Sequence, residues 1–309
     1  IKSVLRQMSR PGDVFYTAIE PNLLVTYLNG RIAKKLGLKH VFFTWQNIEY
    51  RDRLLGLKLR LTERLIRKNV SLSSGAICGN AKALKVLKPY LPEGFKTVVA
   101  PISGVDTEQF KPGISSDFRQ KNNLQDKIVL TFAGALDNRK GIATILNAFI
   151  GALAKEPRLR LVVIGTGPLE GFITDFVVQN KLDGKVVRFP WLSNDKLPEI
   201  FSNSDIFLYP SEPYGGWEEQ FGYSAAEASA CGLPIITTDS GSLPDLIIPD
   251  ETGFLIQPKS PCELEEKILV LAASPELRKK MGESGRRFIT ENFSHQVVAQ
   301  KMENFLRSL

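Results

Sequence analysis

Short apolar runs alternate with amphipathic segments along the whole chain. The runs are continuously hydrophobic, as in Ile128–Ala133 and Leu159–Ile164, and do not alternate apolar with polar residues. Continuous runs are typical of parallel strands that are buried on both faces, and apolar residues at helical spacing between them predict covering helices. The pattern therefore predicts an α/β fold.

The predicted elements fall into two groups. Strands are predicted at residues 13–19, 40–45, 75–79 and 96–100, with helices at 21–36 and 50–70. Residues 101–127 are rich in Pro, Gly and Ser, which is typical of a linker. Beyond them, strands are predicted at 128–133, 159–164, 186–189, 205–209, 234–237 and 253–256, with helices at 140–154, 169–180, 195–202, 219–231, 275–290 and 294–308.

Charge changes sign near the same linker. Residues 1–100 contain 18 Lys and Arg but 6 Asp and Glu, although the whole chain has a net charge of only +7. The basic first part and the slightly acidic second part indicate two domains with different partners. We predict two Rossmann-like domains, at residues 1–110 and 111–290, with residues 291–309 as a terminal helix that returns to the first domain. A single continuous α/β domain is the alternative.

Cysteine and histidine are scarce, and this disfavours several classes of protein. The cysteines Cys78, Cys231 and Cys262 form no CxxC pair, which argues against a zinc knuckle or disulfide framework and fits a reducing cytosol. His40 and His295 have no motif around them, so metallohydrolases and serine hydrolases are disfavoured and both are expected to be ordinary surface or interface histidines. We also expect no signal peptide, because a charged amphipathic segment follows Ile1, and no membrane span, because no apolar run approaches about 20 residues.

Two carboxylates, Glu219 and Glu227, flank a predicted helix start. On a helix this spacing is about 12 Å, and it places both groups on nearly one face. Phe221 and Gly222 would lie at the first turn, where free N–H groups and the helix dipole favour phosphate. The segment predicts a phosphate site with two acceptors for sugar hydroxyls. A capped helix with two solvated glutamates is the alternative.

Two cations, Arg139 and Lys140, follow the buried strand that ends at residue 133. Ligands of open α/β sheets bind at this edge, and Lys and Arg are the usual counter-ions of a diphosphate. A solvated surface loop is the alternative. The glycines Gly165 and Gly167 follow the next strand and resemble a dinucleotide fingerprint, but Pro168 stands where the first helical turn should begin. A nicotinamide dinucleotide is therefore disfavoured.

Taken in order, these segments resemble the family 4 retaining glycosyltransferases of the GT-B fold. The resemblance covers about 200 residues in the second half of the chain. It extends from Ser103-Gly-Val-Asp106 through Lys140-Gly141, Gly165-Thr-Gly167 and Tyr209-Pro-Ser-Glu212 to Glu251-Thr-Gly253. The resemblance implies that residues 1–110 bind the acceptor, residues 111–290 bind a nucleotide-sugar donor, and no metal or other cofactor is needed.

The resemblance also assigns roles to individual residues. Glu227 would bind the ribose hydroxyls and Glu219 would face the sugar, while Lys140 and Arg139 would neutralise the diphosphate. Gly165 and the loop of Phe189, Trp191 and Leu192 would lie near the base. The other donor-binding residues implied are Gly134, Gly167, Gln220, Phe221, Gly222, Tyr223 and Ser224.

Three departures from the family pattern are visible. Ala135 stands where the family usually has an arginine, and Arg139 is the candidate substitute. The strand that often ends in a histidine here continues into Gln46 and Asn47, whose amides could donate hydrogen bonds instead. The family's first strand with its glycine-rich loop is absent, so the N-terminal domain is expected to be incomplete.

Residues 51–70 mix leucines with cations. The segment could lie on an anionic membrane and serve a lipid-linked acceptor, pack as a helix with a solvated basic face, or bind an acidic polysaccharide. Nucleic acid is disfavoured because no aromatic platform accompanies the charge. The expected location is the cytoplasm, including the inner surface of the membrane.

The predicted function is transfer of a hexose from a UDP-, GDP- or ADP-sugar to a hydroxyl acceptor, either a glycan or a lipid-linked one. Two alternatives remain: a nucleotide-sugar epimerase of the same fold, disfavoured by the scarcity of histidine, and a non-catalytic nucleotide-sugar-binding subunit.

Overall fold

A computed structural model describes residues 2–309 of the chain. The chain divides into two compact units. The first extends to Gly104 and also contains Gln296–Leu309, and the second is Val105–His295. Each unit has its own parallel β-sheet. The predicted fold class, α/β with two Rossmann-like domains of GT-B type, is confirmed.

The first unit is built on a four-stranded parallel sheet in the order β1-β2-β3-β4. Its strands are β1 (Val14–Thr17), β2 (Lys39–Thr44), β3 (Gly75–Cys78) and β4 (Lys96–Val99). Its helices before the second unit are α1 (Lys2–Met8), α2 (Leu24–Leu36), α3 (Tyr50–Arg53), α4 (Gly56–Ser71) and α5 (Ala81–Leu87). The buried residues Phe42, Ile66 and Ala76 form the core on one side of this sheet, and Phe43, Ile77 and Phe305 pack together in a second cluster.

Two expectations for the first unit are wrong. The helix predicted over residues 50–70 is broken, because Leu54 and Leu55 are extended and Gly56 has a left-handed φ of 57°. His40 is a buried histidine rather than a surface or interface one. Its Nδ1 lies 2.8 Å from Ser73 Oγ, and its Nε2 lies 3.0 Å from Thr17 Oγ1.

The second unit contains a six-stranded parallel sheet in the order β10-β9-β8-β5-β6-β7. Its strands are β5 (Ile128–Ala133), β6 (Leu159–Ile164), β7 (Val186–Phe189), β8 (Ile206–Tyr209), β9 (Ile235–Thr238) and β10 (Gly253–Ile256). The strand order reverses between β5 and β8. In open parallel sheets, ligands bind beyond the carboxyl ends of the strands at such a reversal. The topology therefore directs attention to the loops after Ala133 and Tyr209.

Helices cover both faces of this sheet, as expected for parallel strands. They are α6 (Phe118–Lys121), α7 (Ile142–Lys155), α8 (Glu170–Gln179), α9 (Leu197–Ser202), α10 (Tyr223–Ala230), α11 (Pro261–Ala273) and α12 (Pro275–Phe293), and the terminal helix is α13 (His295–Ser308). Helices α5 and α11 were not predicted from the sequence. Across residues 2–309, no helix combines the length and apolar character that a bilayer crossing requires.

Candidate functional site

A buried network joins the loops that follow β5 and β8. Lys140 forms an ion pair with Glu219, and its Nζ donates a hydrogen bond to Tyr209 Oη at 2.8 Å. Tyr209 in turn donates to Glu219 Oε2 at 2.9 Å, and Ser211 Oγ donates to the same oxygen at 3.3 Å. Lys140 and Glu219 are only 9% and 7% exposed. Two buried charges of opposite sign are tolerated here because each is both paired and hydrogen-bonded.

Tyr209 is the neutral member of this network. Burial, followed by the neighbouring Glu219 carboxylate, raises the pKa of Tyr209 well above its usual value. The hydroxyl group therefore keeps its proton. It donates a hydrogen bond to Glu219 and accepts one from Lys140. The sequence analysis did not identify Tyr209 or Ser211 as site residues. Two signals were available: both residues belong to Tyr209-Pro-Ser-Glu212, a segment that carries the family resemblance, and both lie at the carboxyl end of a strand beside the reversal in strand order.

Arg139 lies beside the network and is held by two groups. Its Nε donates to Asp137 Oδ2 at 3.0 Å, and its Nη2 pairs with the same oxygen. The guanidinium carbon lies 4.4 Å from the centre of the Trp217 ring, and Lys140 Nζ lies 5.1 Å from that centre. Hydrogen bonding to Asp137 raises the pKa of Arg139, which remains a cation. Asp137 was not identified from the sequence. Trp217 belongs to the aromatic segment at residues 213–218, which directly precedes Glu219 and which the sequence predicts either to shape the choice of sugar or acceptor or to form a plain loop.

Glu219 does not lie on a helix, contrary to the argument from helical spacing. Helix α10 begins at Tyr223, and Gly222 before it has a left-handed φ of 89°. This left-handed conformation favours glycine, and a Cβ there would also lie 2.8 Å from Leu243 Cδ2, so the Leu243 side chain would have to shift. Glu219 and Glu227 are consequently not separated by two helical turns. Similarly, Lys140 precedes α7 in a 3-10 turn, Asn138–Lys140, rather than starting the helix.

Glu227 lies within α10 and is largely buried. Burial raises the pKa of its carboxyl group to about 7. Within residues 2–309, no hydrogen bond is donated to that carboxylate, and none joins it to Lys140 or Glu219. A buried carboxyl group without a hydrogen-bond donor in the protein can accept hydrogen bonds from the hydroxyl groups of a ligand. That Glu227 shares a pocket with Lys140 and Glu219 stays a prediction.

The other predicted site residues of α10 and the loop before it have mixed surroundings. Phe221 is buried, and its ring packs against those of Tyr223 and Phe293, with centres 4.6 and 5.5 Å away. Its side chain therefore belongs to the core, which leaves the backbone as the part that could meet a ligand. The Ser224 side chain partly opposes the rise in the pKa of Tyr209, and the Gln220 backbone N–H lies 3.2 Å from Glu219 Oε1.

The predicted base-side residues lie after β5, β6 and β7. Gly165 has a φ of 142°, and a Cβ there would lie 1.9 Å from the backbone oxygen of Gly134, so these loops touch only because of glycine. A Cβ at Gly167 would lie 2.5 Å from the backbone oxygen of Leu136. Phe189 and Leu192 are half-buried, and Trp191 is 68% exposed. No hydrogen bond or ring contact in the described part of the chain links this group to Lys140, so their common role also stays a prediction.

The first unit has a polar cluster of its own at the carboxyl edge of its sheet. Glu20 accepts hydrogen bonds from Thr44 Oγ1 and from the Trp45 backbone N–H, each at 2.7 Å. Burial, partly opposed by these bonds, raises the pKa of Glu20. The Gln46 amide donates to Ile48 O, so it already has a partner. Glu20 was not identified from the sequence, although it follows the first predicted strand.

Potential metal ligands are not clustered. Among residues 2–309, no group of three or more His, Cys, Asp and Glu side chains is arranged to hold a metal ion. The independence from metal implied by the family resemblance stays a prediction.

Comparison with solved structures shows the same fold over nearly the whole chain. Anabaena Alr3699/HepE, solved in complex with UDP, has a TM-score of 0.81 at 18% identity, covering 100% of this chain and 82% of that one. Sucrose-phosphate synthase from Thermosynechococcus elongatus has a TM-score of 0.74 at 21% identity, covering 99% and 75%. At these identities the likeness concerns the fold alone.

Sequence comparison identifies the family. A Corynebacterium glutamicum GDP-mannose-dependent monoacylated alpha-(1-6)-phosphatidylinositol monomannoside mannosyltransferase is 28% identical over 216 residues, which are 67% of this chain and 55% of that protein. The chain thus spans about half the length of the curated relatives that it matches. The family model for glycosyl transferases group 1 matches residues 114–288, more than half of the chain. The chain belongs to the group 1 glycosyltransferases.

Proposed function

We propose that this chain transfers a hexosyl group from a nucleoside-diphosphate sugar to a hydroxyl acceptor, with retention of the anomeric configuration. The observation that carries the proposal is the buried Lys140–Tyr209–Glu219 network, with Arg139 beside it, at the reversal in strand order. Two cations near a helix N-terminus suit a diphosphate, and a carboxylate one hydrogen bond away suits a sugar hydroxyl.

The chemistry requires stabilisation of charge on the leaving group. The bond between the anomeric carbon and the phosphate oxygen breaks, and the acceptor oxygen bonds to that carbon on the same face. The acceptor's proton passes to the departing phosphate. Lys140 and Arg139 would hold the charge that grows on this phosphate, which is the largest contribution such a site can make. In this proposal they act without a metal ion.

The remaining donor contacts follow the family pattern. Glu219 faces the sugar, and Glu227 accepts the ribose hydroxyl groups. The backbone of Phe221, Gly222 and Tyr223 meets the phosphates, with Gln220 and Ser224 beside it. Gly165, Phe189, Trp191 and Leu192 lie near the base, and Gly134 and Gly167 also bind the donor. The relative solved with UDP supports a nucleotide in this fold, and the mannosyltransferase relative, named for GDP-mannose, supports a nucleotide sugar.

The proposal is tested by incubating the chain with UDP-, GDP- and ADP-sugars. Release of nucleoside diphosphate, with the α or β configuration kept in the product by NMR, is the expected result. A changed sugar that remains linked to its nucleotide would instead identify an epimerase. Tight binding of a nucleotide sugar without turnover would identify a non-catalytic binding subunit.

For the acceptor, we propose a glycan or lipid-linked hydroxyl group presented at an anionic membrane. The support comes from α4, where Leu57, Leu61, Arg64 and Lys68 follow one another at i, i+4, i+7 and i+11 and are all exposed. Leu57 and Leu61 are 71% and 57% exposed. Exposed leucines beside cations match a membrane interface better than water, whereas a solvated basic face needs no leucine. The relative named for a phosphatidylinositol mannoside acts on a lipid of this general kind.

A further inference from the structure

Trp217 lies over both cations of the proposed diphosphate site. Its ring centre is 4.4 Å from the Arg139 guanidinium carbon and 5.1 Å from Lys140 Nζ. These distances are within the range of attraction between a cation and an aromatic face. Trp217 is half-buried, so the two charged groups are shielded from water on the side that the indole covers.

The loop that carries Trp217 is a tight hairpin. Tyr214 and Trp217 exchange two backbone hydrogen bonds of 3.0 Å, and the two residues between them, Gly215 and Gly216, have φ values of 58° and 73°. Two positive φ values between hydrogen-bonded residues define a two-residue hairpin turn of type I′, which holds Tyr214 and Trp217 opposite each other. The Glu212 N–H also donates to Arg139 O at 2.8 Å, which ties the start of the loop to the cation's own backbone.

Arg139 is consequently held on one edge and one face. Asp137 occupies its Nε and Nη2 groups, and Trp217 covers the plane of the guanidinium. Its Nη1 group has no hydrogen-bond acceptor among residues 2–309. A planar guanidinium fixed in this way presents its remaining N–H groups in one direction.

We propose that Trp217 is a positioning residue that orients Arg139 and Lys140 toward the diphosphate of the donor. The inference rests on the proposed function. It explains how Arg139 can supply the cation that family members provide at the position of Ala135, because a substitute from another backbone position needs its own support. Trp217 touches the cations and acts through them.

The test compares nucleoside diphosphate and monophosphate binding by calorimetry in Trp217→Leu and Trp217→Phe. Loss of the aromatic face should weaken the diphosphate about three- to tenfold, the range of a partly shielded cation–π contact, and the monophosphate about twofold or less. Trp217→Phe should fall between Trp217→Leu and the unchanged protein. Tyr214→Leu, an exposed aromatic of the same hairpin, is the matched control and should bind both ligands normally.

A double-mutant cycle separates positioning from a general loosening of the loop. Arg139→Gln should cost less diphosphate affinity in the Trp217→Leu background than in the unchanged protein. Independent, additive effects, or equal losses for diphosphate and monophosphate, would overturn the positioning role of Trp217. If Lys140→Ala also left diphosphate affinity unchanged, the proposed donor site itself would be wrong. If Lys140→Ala weakened diphosphate binding but Trp217→Leu did not, only the positioning role of Trp217 would be wrong.

Discussion

At the scale of single residues, Lys140 combines structural and functional demands. Its ammonium group is the partner of a buried carboxylate and the proposed ligand of a phosphate. Lys140→Ala should weaken diphosphate binding about ten- to a hundredfold, the size of a lost charge-assisted hydrogen bond, and should weaken monophosphate binding much less.

Calorimetric titration of both ligands measures the Lys140 effect. Both titrations use the same variant, so a general fall in stability alters the two affinities together. Lys155→Ala, a change of an exposed lysine on α7, is the matched control. Equal losses for diphosphate and monophosphate would show that Lys140 does not contact the second phosphate.

Glu227 should make the folded protein less stable in alkali than in acid. Because burial raises its pKa from 4.5 to about 7, the folded state holds the proton more tightly than the unfolded state does. Stability is therefore lost as pH rises from about 4.5 to about 7, by about 3 kcal/mol in total. Glu227→Gln should be more stable than the unchanged protein at pH 8 and similar to it at pH 5.

Urea unfolding of Glu227→Gln at these two pH values provides the measurement. Glu291→Gln, a change of an exposed carboxylate on α12, should match the unchanged protein at both pH values. If Glu227→Gln showed the same stability difference as the control, Glu227 would have an ordinary carboxyl group.

At the scale of elements, α4 has two opposite faces. Ile66 and Val70 are buried in the first unit, while Leu57, Leu61, Arg64 and Lys68 are exposed. The chain should therefore sediment with vesicles that contain phosphatidylglycerol and not with pure phosphatidylcholine. Leu57→Ser with Leu61→Ser should weaken vesicle binding by at least about tenfold, since each buried leucine contributes about 1 kcal/mol or more.

Val178→Ser in α8, which changes another exposed apolar residue, is the control for vesicle sedimentation. It should bind vesicles like the unchanged protein. Unchanged binding of the double leucine variant would leave α4 as a packed helix with a solvated basic face. If the chain sedimented with uncharged vesicles alone, the cations of α4 would not contribute to membrane binding.

The sheets were predictable from sequence because their strands are buried on both faces, as β5 and β6 illustrate. The ends of helices were harder to predict. Gly56 and Gly222 both adopt left-handed conformations, and each stands at the start of a helix, inside a segment that the pattern predicts as one continuous helix. Glycine in such a pattern does not reveal the sign of its φ, which depends on packing such as that of Leu243 against Gly222.

The site was predictable only in part for a related reason. Lys140 and Glu219 were identified because motifs surround them. Tyr209 contacts Lys140, which is 69 positions away in the sequence, and Trp217 contacts Arg139, which is 78 positions away. Both contacts exist only in the folded protein. Neither residue type has a charge or spacing that predicts such a role.

At the scale of the whole molecule, the buried histidine His40 makes the stability of the fold depend on pH. Ser73 Oγ donates to Asn69 O at 2.7 Å, so Nδ1 of His40 must be the donor to Ser73, and Nε2 accepts from Thr17. Burial lowers the pKa of His40 from 6.5 to about 4. The contribution of His40 to stability should thus fall by about 3 kcal/mol as pH decreases from about 6.5 to about 4.

Chemical unfolding between pH 7 and pH 4.5 measures this loss. His40→Asn should be less stable than the unchanged protein at pH 7, and this difference in stability should shrink or reverse on acidification. His295→Gln changes the other histidine of the chain, which is exposed, and should behave like the unchanged protein. The same acid sensitivity in His40→Asn would show that His40 titrates normally.

His40 and Glu227 act in opposite directions over nearly the same pH range. Acidification protonates the buried imidazole of His40, which lowers stability by about 3 kcal/mol. It also neutralises the buried carboxylate of Glu227, which raises stability by about 3 kcal/mol. A shallow pH profile of the unchanged chain is therefore compatible with two steep contributions. The single variants should reveal slopes of opposite sign.

The two cations of the proposed donor site each have a carboxylate of their own, Asp137 for Arg139 and Glu219 for Lys140. These four charges sum to zero, so the pocket projects little electric field into bulk solvent. Long-range steering contributes correspondingly little to the arrival of an anionic donor. Ionic strength should then act mainly on the dissociation rate of the nucleotide. It does so through the short-range contacts between the phosphates and the two cations, which replace the ion pairs with Asp137 and Glu219.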